Sequence, residues 1–369
     1  DQIRYILNQS IDSLKSAVMP VSSFLSGGLD SSIVSAKLTE GQSTPLATYS
    51  LEFDNSRQHF KSNAFQPALD APYVQEMANY LGTKHTIYNC DNQTQVEYLK
   101  KSVLAHDLPT MADVDSSYLY FCELTGKQHK IVFTGECADE IFCGYPWYHN
   151  STDPVAFPWS SDIAPRLSLL RDDLITPQEL HSYAHSTYLN TCNEIGIDGE
   201  NTPPELLHQK TFYLTVRFFM QTLVNRGDRA AAVNSMDARV PFAHQDLTEY
   251  LFNTPFTLQA KNGERKHLLR EYATGLLPEE IRSRKKSPYP KTYDPGYEAL
   301  INQELLTSLS ESDCPLLAFV DKNKAENFCL QVKDLGRPWY GQLMAGPQLV
   351  AHYLQILYWL KEYKIRIEI

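Results

Sequence analysis

The chain has no run of eighteen or more apolar residues, so no part of it is expected to span a bilayer. Its opening lacks the basic, apolar and small-residue succession of a secretion signal. CxxC pairs are missing too. The seven cysteines, an odd number, are scattered, which points to reduced thiols and a cytoplasmic setting. Cys137 and Cys143 have no histidine pair at zinc-ligand spacing and read as packing residues. No serine elbow and no Ser-His-Asp order suggest hydrolysis. Positive charge is scarce: 33 Lys and Arg stand against 44 Asp and Glu, for a net charge of -11. That balance argues against nucleic acid as a partner, and any anion site must gather its cations locally. His85 and His106 read as structural or solvent-exposed rather than catalytic. There is no initiator Met, and the chain opens inside a helical pattern, so a longer parent chain is expected.

What is present is length enough, 369 residues, for an α/β core and a second lobe. Ile3, Ile6, Leu7, Ile11, Leu14 and Val18 recur at helical spacing, which predicts a helix over 2–18. Residues 21–25 read as a strand running into Ser26-Gly27-Gly28, with a helix starting near Asp30 or Ser31. The alternation continues with strands over 46–53, 83–88 and 130–134 and helices over 73–81 and 116–125. Strands alternating with helices predict a parallel sheet with helices on both faces. After Gly144 the pattern changes. Residues 151–165 and 195–204 carry loop composition, and helical periodicity dominates from Leu206 to a last helix holding Leu349 to Leu360. The expected organisation is a nucleotide-binding half over 1–150 and a mostly helical half over 151–369.

The strongest chemical signal is Ser26-Gly27-Gly28-Leu29-Asp30-Ser31-Ser32. Two glycines let the backbone curl so that successive N–H groups converge, and the helix start behind them adds partial positive charge. Such a turn can cradle a pyrophosphate. The hydroxyls of Ser26 and Ser31 can donate further bonds, and Asp30 can reach the Mg²⁺ that accompanies ATP. No lysine sits in the turn, so it differs from the GxxxxGK[ST] loop. A second signal is Gly135-Glu136 at a strand end, with Asp139 and Glu140 following. One of those acids can face a site while the other caps a helix. The run Arg282–Lys286 is the local basic patch an acidic anion-binding protein needs.

Together these segments resemble glutamine-dependent asparagine synthetases, within the N-type ATP pyrophosphatases. SGGLDSS is similar to their pyrophosphate loop, and residues 134–145 (TGECADEIFCGY) to their GEGADELFGGY element. Asp237–Phe242 is similar to E-x-R-V-P-F, Lys266–Arg270 with Arg284–Lys286 to later basic segments, and Trp339–Met344 to the tail of some bacterial members. The resemblance implies an adenine-nucleotide α-hydrolase-like fold, ATP and Mg²⁺. It implies that Ser26, Gly27, Gly28, Asp30, Ser31, Leu51, Thr134, Gly135 and Lys266 bind ATP or pyrophosphate. Asp30 and Asp139 would flank the metal. Lys286 would stabilise the leaving pyrophosphate and Glu136 would act at the acyl-adenylate. Lys266 can instead orient the basic patch or sit on a helix face. The implied partners are a small carboxylate, aspartate in the family, and ammonia or an amine. A glutaminase domain, absent from residues 1–369, is expected in a parent chain or in trans. Three departures stand out. Ala112 falls where bacterial members carry an arginine for the substrate carboxylate, Cys143 replaces a glycine, and residues 228–232 (DRAAA) lack the usual serine and methionine. A specialised relative that amidates another carboxylate or closes an internal amide is one alternative, and an inactive nucleotide-binding scaffold is another.

Overall fold

Strand β1 (Val21–Phe24) is the centre from which the sheet grows in both directions. On one side lie β2 (Ala47–Phe53) and β3 (Lys84–Cys90), and on the other β4 (Ile131–Phe133) and β5 (Asp237–Arg239). The order is β3-β2-β1-β4-β5 and every pairing is parallel. The computed structural model describes all residues except 61, 63–65, 150–154, 161, 162, 332–339, 342, 343 and 369.

The central strand is covered on both faces, so its two serines need partners inside the fold. Ser22 Oγ donates to the Ile131 carbonyl at 2.9 Å, and Ser23 Oγ shares a hydrogen bond with Ser35 Oγ at 2.9 Å. In β4 the side chains alternate as a strand demands. Ile131 and Phe133 enter one core while Val132 enters the other. Helices α1 (Gln2–Lys15), α2 (Leu29–Thr39) and α3 (Ala71–Leu81) feed the first core through Ile11, Ile33 and Met77. Helices α4 (Asn92–His106) and α5 (Asp113–Gly126) feed the second through Tyr98 and Phe121. The short α6 (Ala138–Ile141) follows β4, and α7 (Pro177–Asn193) lies in the second half. Helix α8 (Gln221–Ala232) continues a π-helical turn over Thr215–Met220 and reaches the second core through Ala230. A third core joins α9 (Pro295–Ser310) and α10 (Gly346–Glu362) to Leu99 of α4.

Chain order reverses between β1 and β4, and a crevice opens beyond their carboxyl ends at that switch point. Two glycines allow the close approach there. Gly27 has φ +65, and a Cβ on it would lie 2.5 Å from the Tyr73 carbonyl carbon. A Cβ on Gly135 would lie 2.5 Å from the Ser31 nitrogen, so the end of β4 rests against the first turn of α2.

The parallel sheet and its covering helices agree with the sequence reading. Helix α1 ends earlier than expected, at Lys15. Ser16 turns extended (ψ 110) and Val18 is fully exposed instead of joining the apolar face. Strand β5 is an addition. Asp-Ala-Arg has little strand propensity and is held by bonds from Asp237 N to Lys130 O (2.8 Å) and from Thr134 N to Arg239 O (2.9 Å). Helices α4 and α7 were not read from the sequence, although both carry start signals. Asp91 accepts from Thr94 N at 2.7 Å, and Thr176 with Glu179 forms a capping box. Residues 151–154, 161 and 162 of the expected loop, and 339, 342 and 343 of the tail motif, lie outside the described residues.

Gly135→Ala should lower folding stability by about 1–3 kcal/mol, because the new methyl meets backbone rather than a flexible side chain. Urea unfolding checks this. A loss under half a kilocalorie would mean that α2 and β4 separate easily.

Candidate active site

The glycine turn is braced by its own serines. Ser31 Oγ lies 2.9 Å from Ser26 Oγ and accepts from Ser26 N at 3.1 Å, while Gly28 N donates to Ser26 Oγ at 3.3 Å. Arg284 anchors the turn from outside. It donates to the Ser26 carbonyl at 3.2 Å, pairs with Asp70 at the start of α3, and lies 3.9 Å from the Tyr73 ring centroid. Lys285, its neighbour, is exposed. A cavity of about 260 Å³ opens above the strand ends. Ser26, Gly28, Asp30, Ser31, Leu51, Thr134, Gly135, Glu136, Asp139 and Lys286 all line it. Gly27 forms the bend beneath, and Lys266 reaches the acids from behind. Near Leu51 the wall is aromatic, with Phe24 and Phe121 stacked at 4.2 Å.

At the cavity's wall, four charges form one chain. Lys266 Nζ sits 2.6 Å from Asp30 Oδ2 and 2.6 Å from Asp139 Oδ1, and Lys286 Nζ sits 2.6 Å from Asp139 Oδ2. Lys266 is buried with φ +56, in the left-handed region, at the N-cap of residues 267–272. That unusual backbone aims the ammonium inward. Gly144 makes room, since a Cβ there would fall 1.9 Å from Asp139 Oδ1. Burial works against the charged form of each acid, but the two lysines prevail at Asp139 and hold its carboxyl down at about 2. At Asp30 burial wins over Lys266, with the Asp139 charge adding to it, and the carboxyl is raised. Neither Asp139 nor Glu140 caps α6; Cys137 stands at that position. Glu140 is buried instead, accepts from Tyr145 OH at 2.6 Å, and is pushed up to about 7 by burial and the Asp139 charge.

Asp30 Oδ1 is buried with no hydrogen-bond partner. With Asp139 it makes a hard oxygen donor set that fits a divalent cation. Among the described residues no three His, Cys, Asp or Glu side chains gather, so such an ion would take its other ligands from water or phosphate.

Glu136 is held by a residue that the sequence reading missed. Arg226 of α8, buried, donates from Nη2 to Glu136 Oε1, and its Nε lies 3.9 Å from Asp115 Oδ1. The guanidinium carbon also lies 5.1 Å from the Tyr118 ring centroid and 5.7 Å from that of Tyr289. Burial alone would lower its proton affinity, but Glu136 and Asp115 raise it well above the ordinary value. Glu136 Oε2 remains buried without a partner. The available signal was a helical position with arginine amid Leu223, Gly227 and Ala230, a charge on an otherwise buried face. His85 is structural, as expected. Thr48 Oγ1 and Ser50 Oγ hold its ring nitrogens at 2.9 and 3.0 Å, and burial lowers it to about 4. Cys137 and Cys143 are buried and in no disulfide, as all seven cysteines are.

Comparison with known proteins decides the family. The family described as asparagine synthase matches residues 2–361. The chain belongs to the asparagine synthase family. Over 357 residues it is 39% identical to asparagine synthetase [glutamine-hydrolyzing] 3 of Bacillus subtilis, covering 95% of this chain and 58% of that protein. Asparagine synthetase [glutamine-hydrolyzing] 1 of the same species is 26% identical, with 91% and 57% covered. The Gallus gallus asparagine synthetase [glutamine-hydrolyzing] is also 26% identical, with 78% and 42% covered. The chain thus spans little more than half the length of the bacterial relatives it matches. Among the described residues of this asparagine synthase family member, no helix is long and apolar enough to cross a membrane.

Lys266→Met should destabilise the fold by about 3–5 kcal/mol, because Asp30 and Asp139 would be left facing each other in a buried site. Chemical unfolding at neutral pH measures this. A change below about 1 kcal/mol, the worth of a surface ion pair, would show that the lysine is dispensable.

Proposed function

We propose that this chain is the synthetase part of an AMP-forming amide ligase, which adenylates a carboxylate with ATP and lets ammonia displace AMP. Aspartate is the first acceptor to test, because the relatives are named asparagine synthetases. The observation that carries the reading is convergence. The glycine turn, the Asp30–Lys266–Asp139–Lys286 chain and Glu136 meet around one cavity at the sheet's switch point.

In this reading the adenine lies against Leu51 and the aromatic wall. The pyrophosphate rests on the N–H groups of the glycine turn at the start of α2. Asp30 and Asp139 would hold Mg²⁺, which supplies charge neutralisation to the phosphates. Lys286 faces the negative charge that grows on the leaving pyrophosphate as the acceptor carboxylate attacks the α-phosphorus, and that placement favours the transition state over the ground state. Lys266 keeps the two acids apart and ordered. The acyl carbon of the mixed anhydride is then open to the amine. Glu136 Oε2, the free oxygen of a carboxylate pinned by Arg226, takes the proton that the amine loses as the C–N bond forms. AMP leaves with the anhydride oxygen. Buried cysteines outside any disulfide support a cytoplasmic setting.

Glu136→Gln separates the two halves of the reaction. The variant should keep exchange of labelled pyrophosphate into ATP in the presence of the acceptor, while amide formation falls about a hundred- to ten-thousandfold. Hydroxylamine, a stronger nucleophile, should recover part of the product. Exchange and amide formation falling together would assign Glu136 to adenylation instead.

A further inference from the structure

A second cavity of about 590 Å³ lies beside the first, and the two share Met111, Arg226 and Tyr340 as walls. Its volume is within the range of about 300–1,000 Å³ that encloses a drug-sized ligand, well beyond what a single small amino acid needs. Much of the wall is apolar, with Leu170, Phe319 and Ile356 among its residues.

Two acceptor atoms on that wall lack donors. Asp115 is buried, and its Oδ2 accepts from Met111 N at 3.0 Å, but Oδ1 has no hydrogen-bond partner. His106 is buried as well. Its Nδ1 donates to the Ser102 carbonyl at 2.8 Å, which leaves Nε2 as an acceptor that is also without a partner. A buried acceptor left unsatisfied is costly, so a ligand that brings N–H groups is favoured here. Asp115 and Glu136 share a single guanidinium, that of Arg226, and Arg166 lines the same wall as a second cation. An ammonium group would give Asp115 Oδ1 the donor it lacks.

Arg226 also sets the spacing. Its Nη2 holds Glu136 at the first cavity while its Nε faces Asp115 at the second. A ligand bridging the cavities would have its reacting carboxylate on the Glu136 side of this guanidinium and its ammonium on the Asp115 side. We propose that the second cavity binds the body of the acceptor, and that this acceptor is an amine-bearing carboxylate larger than free aspartate. Its ammonium meets Asp115, and its apolar remainder lies against Leu170, Phe319 and Ile356. This rests on the amide-ligase reading for the carboxylate's fate but not for binding itself.

Calorimetry on the whole chain without ATP tests it with three probes: aspartate, aspartyl-leucine and N-acetyl-aspartyl-leucine. Aspartyl-leucine should bind most tightly. Loss of its charged donor in the acetylated form should weaken binding about ten- to a hundredfold. Asp115→Asn, which keeps the shape and the Met111 bond, should erase that difference between the dipeptides. Equal binding of the two dipeptides to wild type, tighter binding of aspartate, or no binding of any probe would overturn the proposal. Pyrophosphate exchange with the same probes keeps the two claims apart. Exchange with aspartate but no dipeptide binding would sink the acceptor class alone. Dipeptide binding without exchange from any probe would sink the ligase reading alone.

Discussion

One buried ammonium ties the site together. Lys266 bonds to Asp30 at the start of α2 and to Asp139 after β4, and it arrives from a segment more than a hundred residues later. Neither acid could stay ionised in that environment alone, because burial of an unpaired carboxylate is opposed far more strongly than any surface pairing could offset. With Lys266 in place and Lys286 added, Asp139 is held as a carboxylate while Asp30, with fewer cations, is pulled the other way. Gly144, the left-handed backbone at Lys266 and the close approach of Gly135 to α2 are the local adjustments that let these charges meet.

The sheet explains why they meet at that spot. Parallel strands end on one edge, and the reversal between β1 and β4 leaves a gap over that edge. The glycine turn follows β1, and Glu136 and Asp139 follow β4, so both enter the gap without any long loop. The helical second half completes it with Arg226, Lys266 and Lys286. These are the cations that an acidic chain had to concentrate locally.

Much of this was readable from the residues in order. The alternation of strands and helices, the turn at Gly27 and Gly28, and the acids after β4 depend on local pattern, and local pattern survives in a sequence. Strand β5 did not, because Asp-Ala-Arg becomes a strand only through the neighbouring β4 edge. Lys266 left two readings open for a similar reason: nothing nearby in the chain reveals that its side chain crosses to two carboxylates. Arg226 and Asp115 were missed altogether. Their meaning lies in sharing one buried guanidinium with Glu136, a contact between α8, α5 and the end of β4. Helices α4 and α7 were a different kind of omission, since their capping signals were present in the sequence.

The central claim is that the cavity joins a carboxylate to the α-phosphate of ATP. Transfer of oxygen-18 from a doubly labelled acceptor carboxylate tests it most directly, with aspartate and aspartyl-leucine as the acceptors and ammonium as the nucleophile. The account predicts one labelled oxygen in the AMP and one in the amide product. Label in inorganic phosphate alongside ADP, or AMP formed without label, would contradict it.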